Sequence, residues 1–494
     1  MMATSATARS NDAPGVAAAV PAARGVWRDW ARLEAGDRAR VIGRAAYILA
    51  AEADSIAETI ALASGRPPAE VWSAEIVPTL DALSWIARRG PRVLSPKALG
   101  RSWLQWYFRA GRHRLYWEPH GVVGIVTPGN SLLFLAVPQI AAALVAGNAV
   151  IWKPAPAGAT LASRAAAIFY RAGLPQMLLQ MALGGADVAR EVVHNGVDKL
   201  FFTGGSAAGA GLYRLQAAQG RPAVLELSGR HVAVVLADAD LELAASGIVW
   251  GKLANAGRNC VSVQLVLVER CAYADFLACA CAALARVSVA DFPMPGRHSE
   301  TATRHGELVA DALSRGARLV ARAPSGAVLL ADVRRGMRVV DEEIEGPILT
   351  VGAVESSAEA AAWINDGDCR LSASIWSGRS ARAQALAFGL DVGQVWINEE
   401  LAPVAQPELT LAGRGASGFG ASRGLAGLME MVQPKVISTR PVRGRRRHYF
   451  PTAPGVEAMF RATVRLAFAA GLVGRLHAAG ALARSLVRLM RGRT

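Results

Sequence analysis

The chain has 494 residues, 52% of them hydrophobic and 19% charged, which is enough for two or three domains around sizeable cores and excludes a disordered or low-complexity class. A net charge of +15 leaves a basic surface to be located along the chain. The five cysteines, Cys260, Cys271, Cys279, Cys281 and Cys369, are odd in number and show no paired metal-ligand spacing, and no signal peptide is evident; no metal site and a reducing, cytoplasmic setting are expected.

Residues 1–24 are rich in Ala, Ser and Thr with few large apolar groups, and are expected to stay disordered. Residues 121–152 carry no charge across 32 positions, a run that resembles a membrane span until TPGNS and the Gly147-Asn148 pair are seen to break it into strand, helix and strand. The alternation continues through NAVIWKP, LASRAAAIFYRAG, MLLQMAL, ADVAREVVHN, VDKLFFTG, SAAGAGLYRLQ and PAVLEL. Short apolar strands alternating with helices predict a doubly wound parallel sheet, whose ligands bind beyond the carboxyl ends of the strands. The candidate ligand groups therefore fall in TPGN, KPAP, FTGGSAAG and LELSG. A second series, from HVAVVLADADLELAA to QVWIN, predicts a second α/β domain. Between its early elements lies NAGRNC, where Cys260 reads either as a nucleophile or as a small packing residue. Cys279 and Cys281, in the helix-like ADFLACACAALARV, read as packing thiols.

The blocks TPGNSLLFLAVPQIAAALVAGNAVIWKPAP, FTGGSAAG, LELSGRHVAVVLADADLELAA, NAGRNC, EEIEGPI and SGFG resemble the aldehyde dehydrogenase superfamily in order and spacing, from about Trp27 to Lys435. The resemblance implies an α/β fold with a Rossmann-type cofactor domain, a second α/β catalytic domain and a small oligomerisation β-element. Its divisions would be residues 25–99, 120–226 and 412–432 for cofactor binding, 227–411 for catalysis, and 100–119 with 433–440 as oligomerisation strands. It places Cys260 as the nucleophile, Asn130 as an oxyanion donor with the Cys260 backbone N–H, and Glu226 as the base that activates water. A thiolate suits the first role because it is the most nucleophilic side chain near neutral pH. Cofactor binding, to NAD or NADP, would fall to Lys153, Gly204, Gly205, Ser206, Gly209, Leu227 and Glu343, with the glycines opening a helix N-terminus to a pyrophosphate.

Departures from the family pattern are informative. Pro156 stands where the family has a glutamate that hydrogen-bonds the adenosine 2′-hydroxyl, so one reason to reject NADP is gone. Gly129 replaces an aromatic, Gly205 a serine and Glu345 a phenylalanine. Ser131 replaces the aromatic after the asparagine and Leu132 a proline, which predicts a wider tunnel for a bulky or long aliphatic aldehyde. The expected activity is oxidation of an apolar aldehyde to its acid. An acyl-CoA-forming or acyl-reducing relative, and a non-catalytic binding or assembly protein, stay open as alternatives.

WLQWYFRAGRHRLYWEPH and QPKVIST resemble the strands through which the family pairs subunits, so a homodimer or tetramer and no nucleic acid are expected. From Arg440 onward the chain holds twelve arginines and a single acid, Glu457. This net of +11 is most of the total charge. Arginine mixed with Leu, Ala and Val at helical spacing predicts a basic amphipathic extension over residues 441–494, placed as two helices on an anionic inner membrane face; a helical pair packed on the catalytic domain or a partner subunit stays open as the alternative. Its longest uncharged run, residues 466–474, is too short to span a bilayer.

Overall fold

The computed structural model describes residues 15–100, 112–288, 299–440 and 455–491. They divide into two compact units, one of Met1–Leu94 and Glu118–Gln433, the other of Ser95–Trp117 and Pro434–Thr494.

The first unit contains two largely parallel sheets. In the six-stranded sheet the strands lie in the order Gly418–Phe419, Ala223–Glu226, Lys199–Thr203, Val122–Val126, Ala149–Lys153 and Leu179–Met181. Only Gly418–Phe419 runs antiparallel. Every residue of Val122–Val126 and of Ala149–Lys153 is buried, because helices cover both faces; this is why the sequence there reads as an unbroken apolar run. The intervening helix Val137–Ala146 is buried throughout and ends at Gly147, whose φ of 99° suits only glycine well. The second sheet runs Arg318–Arg322, Val328–Ala331, Ile348–Val354, Val263–Glu269, His231–Val235, Ser372–Trp376 and Gln394–Ile397, again parallel except for its first strand. Its two faces bury separate clusters, one around Leu236, Leu267 and Ile375, the other around Val235, Ile248 and Phe276. Cys279 and Cys281 sit part-buried on the helix Tyr273–Ala285, packed on the second cluster.

The N-terminus requires a correction. Helix Val16–Arg32 begins eight residues inside the segment expected to be disordered, and buries Val16, Ala19, Val20 and Ala23. Small residues at three- and four-residue spacing make a narrow apolar stripe that composition alone undervalues. Residues 1–14 lie outside the described residues.

A ring of buried polar groups joins the loops of the two sheets. Glu75 accepts hydrogen bonds from Arg66 (2.8 Å), the Ser131 hydroxyl (3.0 Å) and the backbone N–H groups of Leu133 (3.1 Å) and Phe134 (2.9 Å). Arg66 also donates to Glu70 (2.9 Å), which accepts the Asn255 N–H (2.8 Å). The Asn255 amide closes the ring on the Asn130 carbonyl (2.7 Å).

The second unit holds a three-stranded sheet in the order Lys97–Ala98, Arg112–Pro119, Val432–Thr439, and two helices, Val456–Phe468 and Gly471–Arg491. The helices pack on each other through Val456, Met459 and Leu489. Much of the expected first oligomerisation segment, residues 101–111, and the basic cluster at 441–450 lie outside the described residues. Among the described residues no helix is long and apolar enough to cross a membrane.

Arg66 and Glu75 are 5% and 1% exposed as side chains, so removing one partner strands a buried charge. Glu75→Ala should lower unfolding free energy in urea by about 3–5 kcal/mol, and Glu75→Gln, which keeps an acceptor for the two backbone N–H groups, by less. A change within about 1 kcal/mol for Glu75→Ala would show that the ring does not hold the fold.

Candidate active site

Cys260 follows a strained turn. Helix Leu241–Leu253, capped by the Asp240 carboxylate on the Leu243 N–H (3.0 Å), runs into Asn255, Ala256 and Gly257, with φ of 55°, 55° and 70°. Asn and Gly tolerate the left-handed region, whereas Ala256 is held there against roughly 1–3 kcal/mol of strain. What over-determines the turn is the polar ring at Asn255 and a close approach at Gly257, where an added Cβ would stand 2.4 Å from the Gly346 carbonyl oxygen. The Gly346 N–H donates to the Gly257 carbonyl (3.1 Å), bringing the EEIEGPI loop against the NAGRNC loop.

Cys260 and Asn130 line one cavity of about 870 Å³. The walls are mainly apolar, with Phe134, Leu135, Val249, Trp250, Leu401 and Leu411 among them. Burial pushes the Cys260 thiol up to about 12, the negative charge of Glu226 adds to the rise, and Arg423 opposes it. Cys260 is itself part-buried at the cavity wall, and its desolvation together with the charge of Glu226 favours the protonated sulfur. The Asn130 amide donates to the Arg258 carbonyl (2.8 Å), and its own Oδ1 is buried without a partner.

Glu226 ends the strand Ala223–Glu226 and is 5% exposed. The Ser422 hydroxyl donates to its Oε1, while Oε2 has no hydrogen-bond partner. Burial raises its pKa, and Arg423 and Ser422 oppose the rise. Both Ser422 and Arg423 come from the segment directly after SGFG. Glu343 is near enough for its charge to act on Cys260, and its loop is held by Lys252, which is buried and donates to the Ile344 carbonyl (3.4 Å).

The other predicted residues form a second group at the carboxyl ends of the first sheet. Lys153 ends its strand 6% exposed, its pKa lowered by burial and partly restored by Asp187. Gly205 is the N-cap of helix Ser206–Ala218 without a side-chain cap, and a Cβ there would meet nothing within 4 Å. The first-turn N–H groups therefore face open space, as an anion requires. At Gly209 a Cβ would stand 2.3 Å from Leu227 Cδ2, so glycine is needed for the helix to approach Leu227. The Gly204 N–H donates to the Glu226 carbonyl (3.0 Å), tying the glycine turn to the strand end that carries the carboxylate. These features fit a dinucleotide pyrophosphate with its ribose near Lys153.

Sequence reasoning missed Glu75, Arg66, Ser422, Arg423 and Lys252. Ser422, Arg423 and Lys252 have partners remote in the chain, and no local pattern marks the Arg66–Glu75 pair nine residues apart.

Two wound parallel sheets, an open glycine turn at a helix N-terminus and a cysteine in a cavity beside them define a nicotinamide-dependent oxidoreductase. Residues 2–437 match the aldehyde dehydrogenase family model, and the chain belongs to that family. It is 34% identical over 416 residues to 4,4′-diapolycopene aldehyde oxidase of Methylomonas sp, covering 82% of this chain and 78% of the relative. It is 28% identical to succinate-semialdehyde dehydrogenase [NADP(+)] of Deinococcus radiodurans, covering 84% of this chain and 88% of the relative. Among solved structures it is similar to Mycobacterium tuberculosis aldehyde dehydrogenase complexed with NAD+, with a TM-score of 0.80, 27% identity and coverage of 88% of this chain and 92% of that one. A second is NADP-dependent glyceraldehyde-3-phosphate dehydrogenase from Bacillus halodurans C-125 complexed with NADP, with a TM-score of 0.79, 29% identity and coverage of 86% and 91%. The chain is an NAD(P)-dependent aldehyde dehydrogenase.

Pro156 is exposed at the start of a short 3₁₀ turn just beyond Lys153. No carboxylate at that position repels a 2′-phosphate, so NADP should be used within about tenfold of NAD, a gap of ~1.4 kcal/mol. Pro156→Glu should move the ratio of kcat/KM values toward NAD. A wild-type preference for NAD of several orders of magnitude would assign discrimination to another residue.

Proposed function

We propose that this enzyme oxidises a long or bulky apolar aldehyde to its carboxylic acid through a thiohemiacetal and then a thioester on Cys260. The observation that carries the reading is the cavity of about 870 Å³ with apolar walls and Cys260 in its lining, large among sites of roughly 300–1,000 Å³. Ser131 supports it, because its short side chain is tied back to Glu75 where an aromatic would fill the tunnel. The similarity to a relative named for diapolycopene aldehyde points the same way.

In this reading the Glu226 carboxylate takes the proton of the buried thiol as sulfur attacks the carbonyl carbon. One Asn130 amide hydrogen serves the Arg258 carbonyl, leaving the other, with the Cys260 N–H, for the oxyanion. Bound near Lys153 and the glycine turn, NAD(P) supplies the hydride acceptor. Glu226 then activates the water that releases the acid. Because burial raises the Glu226 pKa, this base is in its working form above that raised value, and turnover falls as pH drops through it. Subunits pair in this proposal through the strands Arg112–Pro119 and Val432–Thr439, whose Val436 and Ile437 are exposed.

Cys260→Ala should abolish NAD(P)-linked oxidation, and Glu226→Gln, which lacks the base for both the thiol and the water, should slow the first turnover of reduced cofactor and then stall. From propanal to decanal kcat/KM should rise, by up to roughly fourfold for each methylene buried at ~0.8 kcal/mol. Wild-type turnover by Cys260→Ala would sink the mechanism, and a flat chain-length series would sink the apolar substrate.

We also propose that the C-terminal extension docks on an anionic membrane surface. Instead of two helices lying separately on their apolar faces, Val456–Phe468 and Gly471–Arg491 turn those faces on each other. The apolar groups left outside cluster at their turn, with Phe468 and Leu472 76% and 75% exposed beside Val464, Val473 and Leu476. Arg461, Arg465 and Arg475 flank them, all exposed. Each basic residue near an anionic surface contributes ~1 kcal/mol. Full-length protein should co-sediment with phosphatidylglycerol vesicles at low salt but not with phosphatidylcholine vesicles. Phe468→Asp with Leu472→Asp should abolish this while propanal oxidation persists. Vesicle binding unchanged in the double variant, or absent in the wild type, would refute the docking.

A further inference from the structure

We propose that Arg423 is a positioning residue of this reaction, the buried counter-charge that the Cys260 thiol and the Glu226 carboxylate share through both halves of turnover. The inference rests on the reading of Cys260 as nucleophile and Glu226 as base.

Arg423 lies just before the helix Gly424–Glu430 and forms part of the wall of the cavity that holds Cys260. The side chain is clamped from two sides. Its Nη1 donates to the Val404 carbonyl (3.0 Å), and its guanidinium carbon stands 4.7 Å from the centroid of the Phe134 ring. Its Nε is buried without a hydrogen-bond partner, and no carboxylate forms an ion pair with it among the described residues. A guanidinium withdrawn from water without a carboxylate partner is costly, and a leucine would fill the same wall more cheaply. The preceding residue, Ser422, donates to Glu226, whose other oxygen is also buried and unpartnered. Two adjacent residues thus address one catalytic carboxylate, one by hydrogen bond and the other by charge.

The charged groups facing Cys260 are Glu226, Arg423 and Glu343, and of these only Arg423 favours the thiolate. The charges facing Arg423 are Glu226 and Cys260. In the free enzyme the negative charge rests on Glu226. As the sulfur–carbon bond forms, the thiol proton passes to Glu226, and the carbonyl π pair becomes the oxyanion, so the charge moves without leaving the neighbourhood of the guanidinium. After the thioester has formed, the sulfur is neutral. Glu226 must then release that proton to solvent before it can take one from water, and Arg423 favours the release. Water oxygen next bonds to the acyl carbon, the carbon–sulfur bond breaks, and the thiolate leaves beside the same cation. Like charges this close cannot both persist, so one fixed cation matches the single anion that moves between them.

The test uses the full-length enzyme with decanal and compares Arg423→Leu, Arg423→Gln and Arg423→Lys. Three readouts are followed: the rate of Cys260 alkylation by iodoacetamide without aldehyde, the pH profile of kcat, and the burst of reduced cofactor. Arg423→Leu and Arg423→Gln should lower kcat by about 100-fold, move the acid limb of kcat upward by at least about one pH unit and slow Cys260 alkylation at pH 9 by about tenfold, and retain a burst. Arg423→Lys should recover most of both effects. An unshifted acid limb and unchanged alkylation in Arg423→Gln, even with slower turnover, would overturn the proposal and leave Arg423 as packing. Failure of Arg423→Lys to restore either effect would do the same. Failure of the underlying reading is distinguishable: if Glu226→Gln turned over at the wild-type rate, Glu226 would lose its role, while slowed alkylation at pH 9 in Arg423→Gln would still report the cation acting on the thiol.

Discussion

The catalytic geometry depends on a ring of charges and amides taken out of water: Glu75, Arg66, Glu70, Asn255 and Asn130. Its members come from the N-terminal helical layer, from the turn after the strand Val122–Val126 and from the strained turn before Cys260. Each donor bond is worth more in the buried setting than at the surface, and each broken one leaves a group that cannot recover water. Fixing Asn130 and Asn255 together therefore fixes the proposed oxyanion donor relative to the cysteine loop, although the two loops belong to different sheets. The same Glu75 holds the backbone of Phe134, whose ring lies against Arg423. One buried carboxylate thereby reaches both sides of the cavity.

The cavity has two chemistries that must coexist. Most of its lining is apolar, which suits a hydrocarbon chain, while the groups around the sulfur are Glu226, Arg423 and Glu343. Low dielectric amplifies both attraction and repulsion there. It also sets opposing trends with pH. Glu226 works as a base only above its raised pKa, whereas Lys252, lowered to about 7 by burial, carries its charge only below that value. Lys252 stands between Glu343 and Glu345 and donates to the carbonyl between them, so the loop bearing Glu343 loses an attraction as pH rises.

The parallel sheets were legible because their signal is local. Val122–Val126, Ala149–Lys153 and Lys199–Thr203 are short apolar runs between glycine turns, and burial on both faces confines charge to the terminal Lys153 and Lys199. Gly147 and Gly209 were legible for the same reason: a positive φ or a close helix approach demands glycine where it stands in the chain. The helix Val16–Arg32 was not, since its buried face is built of alanine and valine in a segment whose composition resembles a tail. The charges that set the site were hidden for a different reason. Arg66 meets Glu75 nine residues away, but Ser422 meets Glu226 across 196, and nothing in SGFGASRG distinguishes an arginine in the cavity wall from a surface arginine in a chain that has 49 of them.

The protonated state of the resting thiol has a consequence for the reaction as a whole. A permanently ionised cysteine lining a cavity of about 870 Å³ would be open to oxidants and to any electrophile small enough to enter, because the thiolate is the reactive form. Burial removes that exposure by holding the proton on sulfur. The cost is a nucleophile that must be activated at the moment of attack. An apolar aldehyde offsets part of this cost by displacing water from the cavity, which strengthens the pull of the nearby cation on a forming anion. Selectivity then follows from filling: an aldehyde too small to exclude water gains less of that electrostatic help. In the proposed reaction, apolar volume and buried charge are therefore two halves of one device, in which the chain of the substrate would help to make the thiol reactive.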